Sequence, residues 1–158
     1  MLIGRQILLR TLLIKDLDLL YEIENDTELW KYGSEKRKYN RDELLNYIKN
    51  SDINIDVAKQ YRFAVELHQH AIGFIDLFDY NGLRAGVGLI IHKDFRAKGY
   101  GKEALSLLIE HAFSTLYLKE LYCDVKEDNL ASINLFVSCG FIFFDKQNEF
   151  NKYILTNN

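Results

Sequence analysis

Proline is absent from all 158 residues. The chain must therefore turn on glycine, asparagine and aspartate, and no repeat, low-complexity tract or linker interrupts it. Cysteine is scarce. Cys123 and Cys139 lie in apolar surroundings with no CxxC or histidine spacing, which argues against a metal site and reads as two buried free thiols suited to a reducing compartment. No apolar run approaches the ~20 residues that cross a bilayer, and "MLIGRQILLR" lacks the charged start, apolar run and cleavage site of a secretory leader. The expectation is a cytoplasmic protein with no membrane partner. A cationic excess is also missing: the formal net charge is −3, which gives no reason to expect a nucleic-acid surface. His68, His70, His92 and His111 show no ligand spacing. What remains is a composition 48% hydrophobic and 27% charged, in which residues 1–158 read as one domain with a core of its own.

The periodicities predict the elements in order. "RQILLRTLL" reads as a first strand, after which Asp16 caps a helix carrying Leu17, Leu20, Tyr21 and Glu24. "NRDELLNYIKN" signals a second helix, with Asn40 as cap and Glu43 at the reciprocal position of a capping box. From Tyr61 the period changes to two. Three strands, joined through "HQH" and "DYNG", form an antiparallel meander ending in "LRAGVGLII". A helix from about Lys98 to Tyr117, a strand "ELYCDV", a helix from about Asn129 to Ser138 and two terminal strands complete an α+β domain with a mixed, partly antiparallel sheet.

Lys93, Arg96, Lys98 and Lys102 crowd a short stretch of a mildly acidic chain, and they ask for a local anion. Gly99 and Gly101 stand among them at the start of a helix, where backbone N–H groups can face a phosphate. A P-loop is excluded, because Glu103 follows Gly101-Lys102 and Arg96 occupies the first glycine's place. Gly99, Gly101 and Ala104 fit a dinucleotide fingerprint, with Asp124 as the ribose-binding acid, but His92 to Ala97 separate them from their strand and an antiparallel meander precedes it. "RAKGYG" instead resembles the acyl-CoA motif of the GNAT superfamily of N-acetyltransferases, Gln/Arg-x-x-Gly-x-Gly/Ala. "NLASINLFVSCGF" is similar to the same family's second motif, through Asn129, Ser132, Leu135, Gly140 and Phe141. The likeness covers most of the chain and is strongest to ribosomal-protein N-terminal acetyltransferases and spermidine/spermine acetyltransferases.

That resemblance implies a GNAT-type sheet with a splayed strand pair, and acetyl-CoA as the acetyl-donating co-substrate with no metal. The acceptor would be a small-molecule amine or a protein N-terminus, and a homo-oligomer is compatible with it. It places the pyrophosphate on the backbone of Arg96, Ala97, Lys98, Gly99, Tyr100, Gly101 and Lys102, and the pantetheine arm along Leu89, Ile90 and Ile91. Asn129 and Asn134 would face the same arm. Two departures touch the mechanism. Phe136 stands where many members hold a proton-donating tyrosine, and Gly86 where many hold a glutamate on the last strand of the meander. No catalytic residue carries over. Asp76, Glu66 or a water chain would have to accept the proton of the amine, and the alternative is a CoA-binding module that has lost catalysis. Glu22, Glu24, Asp26 and Glu28, with Trp30 and Tyr32, have a composition that would suit a cationic acceptor.

Overall fold

The computed structural model describes residues 1–30, Trp30 by its backbone only, and 37–158. Eight strands form one open sheet in the order β1-β2-β3-β4-β5-β6-β8-β7. They are β1 (Leu2–Ile3), β2 (Leu8–Arg10), β3 (Tyr61–Leu67), β4 (His70–Phe78), β5 (Arg84–Ile91), β6 (Glu120–Lys126), β7 (Ile142–Gln147) and β8 (Phe150–Thr156). Every neighbouring pair is antiparallel except β5 and β6. The helices are α1 (Leu17–Glu24), α2 (Thr27–Trp30), α3 (Arg41–Lys49), α4 (Ile55–Ala58), α5 (Tyr100–Ser114) and α6 (Leu130–Ser138). Among the described residues, no helix is long and apolar enough to cross a membrane.

The period-two strands distribute their side chains between two cores. Phe63, Val65, Ile75 and Leu77 join Leu105, Leu108 and Ala112 of α5 and Phe136 of α6 on one face. Ala64 and Phe74 join Leu20 and Ile23 of α1 and Leu44 and Ile48 of α3 on the other. The sheet is thus covered on both sides. Tight turns hold the meander in register: His68 and Gln69 both take positive φ, 49° and 71°, between Leu67 and its partner His70.

Three predicted details come out differently. Of "RQILLRTLL" only Leu8–Arg10 is strand, and the further strand β1 precedes it, closed into a hairpin where the Gly4 N–H donates to the Ile7 carbonyl. Asp16 ends a 3₁₀ turn rather than capping α1: its carboxylate accepts from the Leu13 N–H at 2.8 Å and takes both terminal nitrogens of Arg10, at 2.8 and 2.9 Å, in a buried fork. A buried guanidinium needs that carboxylate more than the helix needs a cap. Helix α5 stops at Ser114, not Tyr117. Tyr117 turns the chain at φ 57°, which brings Leu118 into full burial.

The meander and α5 together create the feature that matters most. β5 and β6 pair only at Arg84↔Glu120, Ala85↔Leu121 and Gly86↔Tyr122, although β5 continues to Ile91 and β6 to Lys126. Beyond Gly86 the two strands part and leave a gap in the sheet.

Candidate active site

A cleft of about 1030 Å³ opens at that gap and runs across the sheet. Its floor is β5 from Val87 to Ile91, and its far wall is Cys123 to Val125 of β6 with Asn129, Leu135 and Phe136 of α6 and its cap. One end is formed by Arg96, Ala97, Gly99, Gly101 and Lys102, the other by Glu24 of α1, Glu43 and Tyr47 of α3, Arg62 of β3 and Asp76 of β4.

The glycine end presents backbone donors without described acceptors. None of the backbone N–H groups of Ala97, Lys98, Gly99, Tyr100, Gly101 and Lys102 donates to another described residue. They stand at the start of α5, where the helix dipole also favours negative charge. Gly99 takes φ 89°, a left-handed conformation that side-chain-bearing residues resist, and a Cβ there would point into open space. Gly101 carries no such demand: it lies inside α5, and a Cβ would make ordinary contact with Leu135, 3.5 Å away. The conformational need for glycine therefore falls on the first of the pair. Arg96 does more than add charge. Its Nε donates to the Ile91 carbonyl at 2.8 Å and ties the loop to the end of β5.

Of the residues predicted to hold the co-substrate, Leu89, Ile90, Ile91, Arg96, Ala97, Gly99, Gly101, Lys102 and Asn129 line the cleft; Lys98, Tyr100 and Asn134 do not. Asn134 is exposed on α6. Asn129 caps α6, its side-chain oxygen accepting from the Ser132 N–H at 3.3 Å. The dinucleotide reading loses its frame, because a 3₁₀ turn (Lys93–Phe95) separates β5 from the glycines and the sheet is predominantly antiparallel.

At the opposite end the register does the assembly. Arg62 of β3, Asp76 of β4 and Gly88 of β5 are consecutive cross-strand partners, so the three lie in one row on the face covered by α1 and α3. Arg62 turns away from the row toward helix α1 and donates to Glu24 at 2.8 Å. Burial opposes its charge, but Asp76, Tyr47 and Glu24 outweigh that and hold the guanidinium above its ordinary value. Asp76 leans the other way. Its Oδ1 lies 2.5 Å from where a Cβ on Gly88 would stand. Burial pushes the Asp76 carboxyl up, with Glu24 adding to the shift and Arg62 opposing it.

Glu66, the other carboxylate considered for proton transfer, is committed elsewhere: it accepts from Arg10 Nε at 2.7 Å and does not line the cleft. Glu22 faces His92 at 3.0 Å, and Asp26 accepts from the Glu28 N–H. Of the acidic set predicted for the acceptor pocket only Glu24 reaches the cleft; Tyr32 and the side chain of Trp30 lie outside the described residues. Gly86 has no room for a longer side chain, because the Phe78 ring occupies the place of its Cβ and packs edge-on against Tyr122. Phe136 is buried on the cleft wall, edge-on to Phe141 at 5.1 Å. Cys123 is buried, as expected, and Cys139 half-buried. Burial first, then Asp124, pushes the Cys123 thiol up to about 12, so at neutral pH it is no thiolate nucleophile. No group of three or more His, Cys, Asp or Glu among the described residues could hold a metal ion.

Comparison with known proteins agrees with this architecture. The family described as the acetyltransferase (GNAT) domain matches residues 6–142. Spermidine N(1)-acetyltransferase of Vibrio cholerae is 26% identical over 142 residues, covering 88% of this chain and 80% of that protein. The Escherichia coli K12 enzyme of the same name is 27% identical over 140 residues, covering 87% and 74%. The crystal structure of the Vibrio cholerae enzyme in complex with CoA and spermine superposes with a TM-score of 0.82 at 24% identity, over 96% of this chain and 95% of that one.

Proposed function

The chain belongs to the GNAT acetyltransferase family, and from that premise we propose that the amine it acetylates is a small polycation of the polyamine class. It is an acetyl-CoA-dependent N-acetyltransferase. One observation supports the choice of acceptor. Among the described carboxylates lining the cleft, Glu24 is paired with Arg62, Glu43 with Arg37 at 2.6 Å and Asp124 with Lys152 at 3.0 Å. Of these, Asp76 alone has no cation of a described residue within ion-pair distance. At the other end Arg96 and Lys102 have no carboxylate partner among the described residues. The described cleft is therefore polarised, with cations outside any ion pair beside free N–H groups at one end and a carboxylate outside any ion pair at the other.

A CoA thioester and a cationic amine match that polarity. The pyrophosphate fits the free donors of the glycine loop, and the pantetheine amides fit the edge of β5 between Val87 and Ile91, which has no partner strand on the β6 side. A neutral amine then attacks the thioester carbonyl, with backbone N–H groups of β5 available to the oxyanion. The spermidine acetyltransferase names of the relatives support the same class of acceptor. Phe136 favours a second reading, a CoA-binding module without turnover, because it can protonate no leaving thiolate.

Free-thiol release from acetyl-CoA, measured across polyamines, amino sugars, amino acids and basic peptide N-termini, separates the two. Release with spermidine or spermine above all other amines is expected. Preference for a neutral or peptide amine would remove the polyamine assignment, and tight CoA binding with no release on any amine would leave the module.

A further inference from the structure

We propose that Asp76 is the general base of the transfer, taking the proton from the incoming ammonium, and that Gly88 is glycine so that this carboxylate can lie across β5. The inference rests on the acetyltransferase reading and adds to it the group that makes the amine nucleophilic.

A base is required by the chemistry. A primary alkylamine is almost fully protonated at neutral pH and has no lone pair to attack with. The base must touch the ammonium, be unprotonated at working pH and have no stronger partner. Glu24, Glu43 and Asp124 each hold a cation already. Asp76 lines the cleft and, among the described residues, holds no ion-pair partner. No described residue donates a hydrogen bond to its carboxylate, and its neighbour in the row, Arg62, is held aside by Glu24.

The position is also suited to the reaction. Gly88 sits just past Gly86, the last β5 residue paired with β6, so the Asp76 carboxylate borders the end of the gap where the two strands begin to part, in the same cleft as Cys123 and Phe136. Any side chain at residue 88 would collide with Oδ1 and push the carboxylate off the strand. The titratable groups that face Asp76 are Arg62 from β3, Glu24 from α1 and Tyr47 from α3, while β5 presents only Gly88. Burial and Glu24 together raise its affinity for a proton, which brings a carboxylate nearer to the working range of a base.

The step balances without another reagent. Asp76 accepts one proton from the ammonium. The freed nitrogen lone pair forms the C–N bond at the thioester carbonyl, and the C–S bond breaks as the tetrahedral adduct collapses. Its nitrogen still carries a surplus proton, which passes to the departing thiolate directly or through water. No side-chain acid is needed, which accommodates Phe136. Asp76 afterwards returns its proton to solvent, so the net release is one proton for each amide formed.

The test uses the full chain with acetyl-CoA and spermidine, and compares the parent with Asp76→Asn, Asp76→Glu and Gly88→Ala. In the parent, kcat should rise with pH along a limb whose midpoint lies above the ordinary carboxylate range. Direct titration of the Asp76 carboxyl by carbon NMR, without substrate, should likewise give a midpoint above that range. Asp76→Asn should lose the limb and about 10²–10⁴-fold in kcat near neutral pH, recovering as the solution approaches the pKa of the amine itself. CoA should still raise its melting temperature as in the parent. Gly88→Ala, with the carboxylate present but displaced, should lose the same limb, and Asp76→Glu should retain part of it.

Asp76→Asn with the parent's kcat and pH profile would overturn the assignment. So would a rise in KM alone, which would make Asp76 a binding group and not a base. If the parent itself releases no thiol with any amine, the acetyltransferase reading fails first and the base falls with it.

Discussion

The two ends of the cleft are built in opposite ways. At the glycine end the polar groups without a described partner are backbone N–H donors of consecutive residues, Ala97 to Lys102, at the start of a helix whose dipole has the same sign. At the carboxylate end the polar groups are side chains from four elements, Glu24, Tyr47, Arg62 and Asp76, brought together by helix packing and strand register. An anion can be held by one bend of the chain because every residue brings a donor. A lone ammonium needs carboxylate at one point in space, and adjacent residues cannot supply that without repelling each other. The first end should therefore fail through backbone changes, the second through single charges.

The largest effect is expected at Gly99. Gly99→Val forces a β-branched residue into φ 89°, costing about 1–3 kcal/mol of stability and displacing the N–H groups around it. The rise in melting temperature with CoA should vanish at concentrations a hundredfold above those that saturate the parent. Gly101→Ala should retain it, since a methyl there meets only Leu135, Ile91 and Leu89 at ordinary contact distance. If Gly101→Ala were the more damaging of the two, the loop would not be used as its geometry indicates.

Arg96→Ala comes next. It removes one charge near the phosphates and the bond to the Ile91 carbonyl, with a loss of roughly 1.5–3 kcal/mol, about tenfold to a hundredfold in CoA affinity. Arg96→Lys should recover little, because a lysine at that site would lack the fixed fork that lets Nε bond the carbonyl while the terminal nitrogens stay free. Isothermal titration with CoA measures both.

At the other end a charge change should act on stability with a definite sign. The Asp76 carboxyl titrates above its ordinary value in the folded chain, so its protonated form is the one the fold favours. The group's stabilising contribution is complete below the unfolded pKa and is lost as pH rises through the folded one. Asp76→Asn should accordingly be more stable than the parent in urea at pH 7, and the difference should shrink toward pH 4. A variant less stable than the parent at pH 7 would mean that this carboxylate supports the fold.

Phe136→Tyr is expected to do least. A hydroxyl on the cleft wall offers the thiolate a second proton source, but the amine's own surplus proton already serves, so kcat should change by no more than a few-fold (each tenfold being about 1.4 kcal/mol of barrier). A gain of a hundredfold would show that thiolate protonation limits the parent.

Much of the fold was readable from local pattern. The change of period at Tyr61, the turns at "HQH" and "DYNG", the cap Asn40 and the helical stretches after Lys98 and Asn129 predicted the meander and the positions of α3, α5 and α6 within a few residues. These signals are local because hydrogen bonds within one helix or one turn fix them. The place of Gly99 and Gly101 at the start of α5 was legible for the same reason. Asp16 was misread as a cap because a sequence does not show that Arg10 will be buried beside it. Choosing between Asp76 and Glu66 was likewise beyond reach, since it depends on Glu66 lying near Arg10 and on Asp76 sharing a row with Gly88.

By itself, then, the sequence determined most of the elements, their order and the glycine loop that opens α5, all of which rest on interactions between near neighbours. Which carboxylates are paired and which one is left facing the gap between β5 and β6 was decided only by the tertiary structure. Charges attract over space and not along the chain, and β-register and helix packing set those distances.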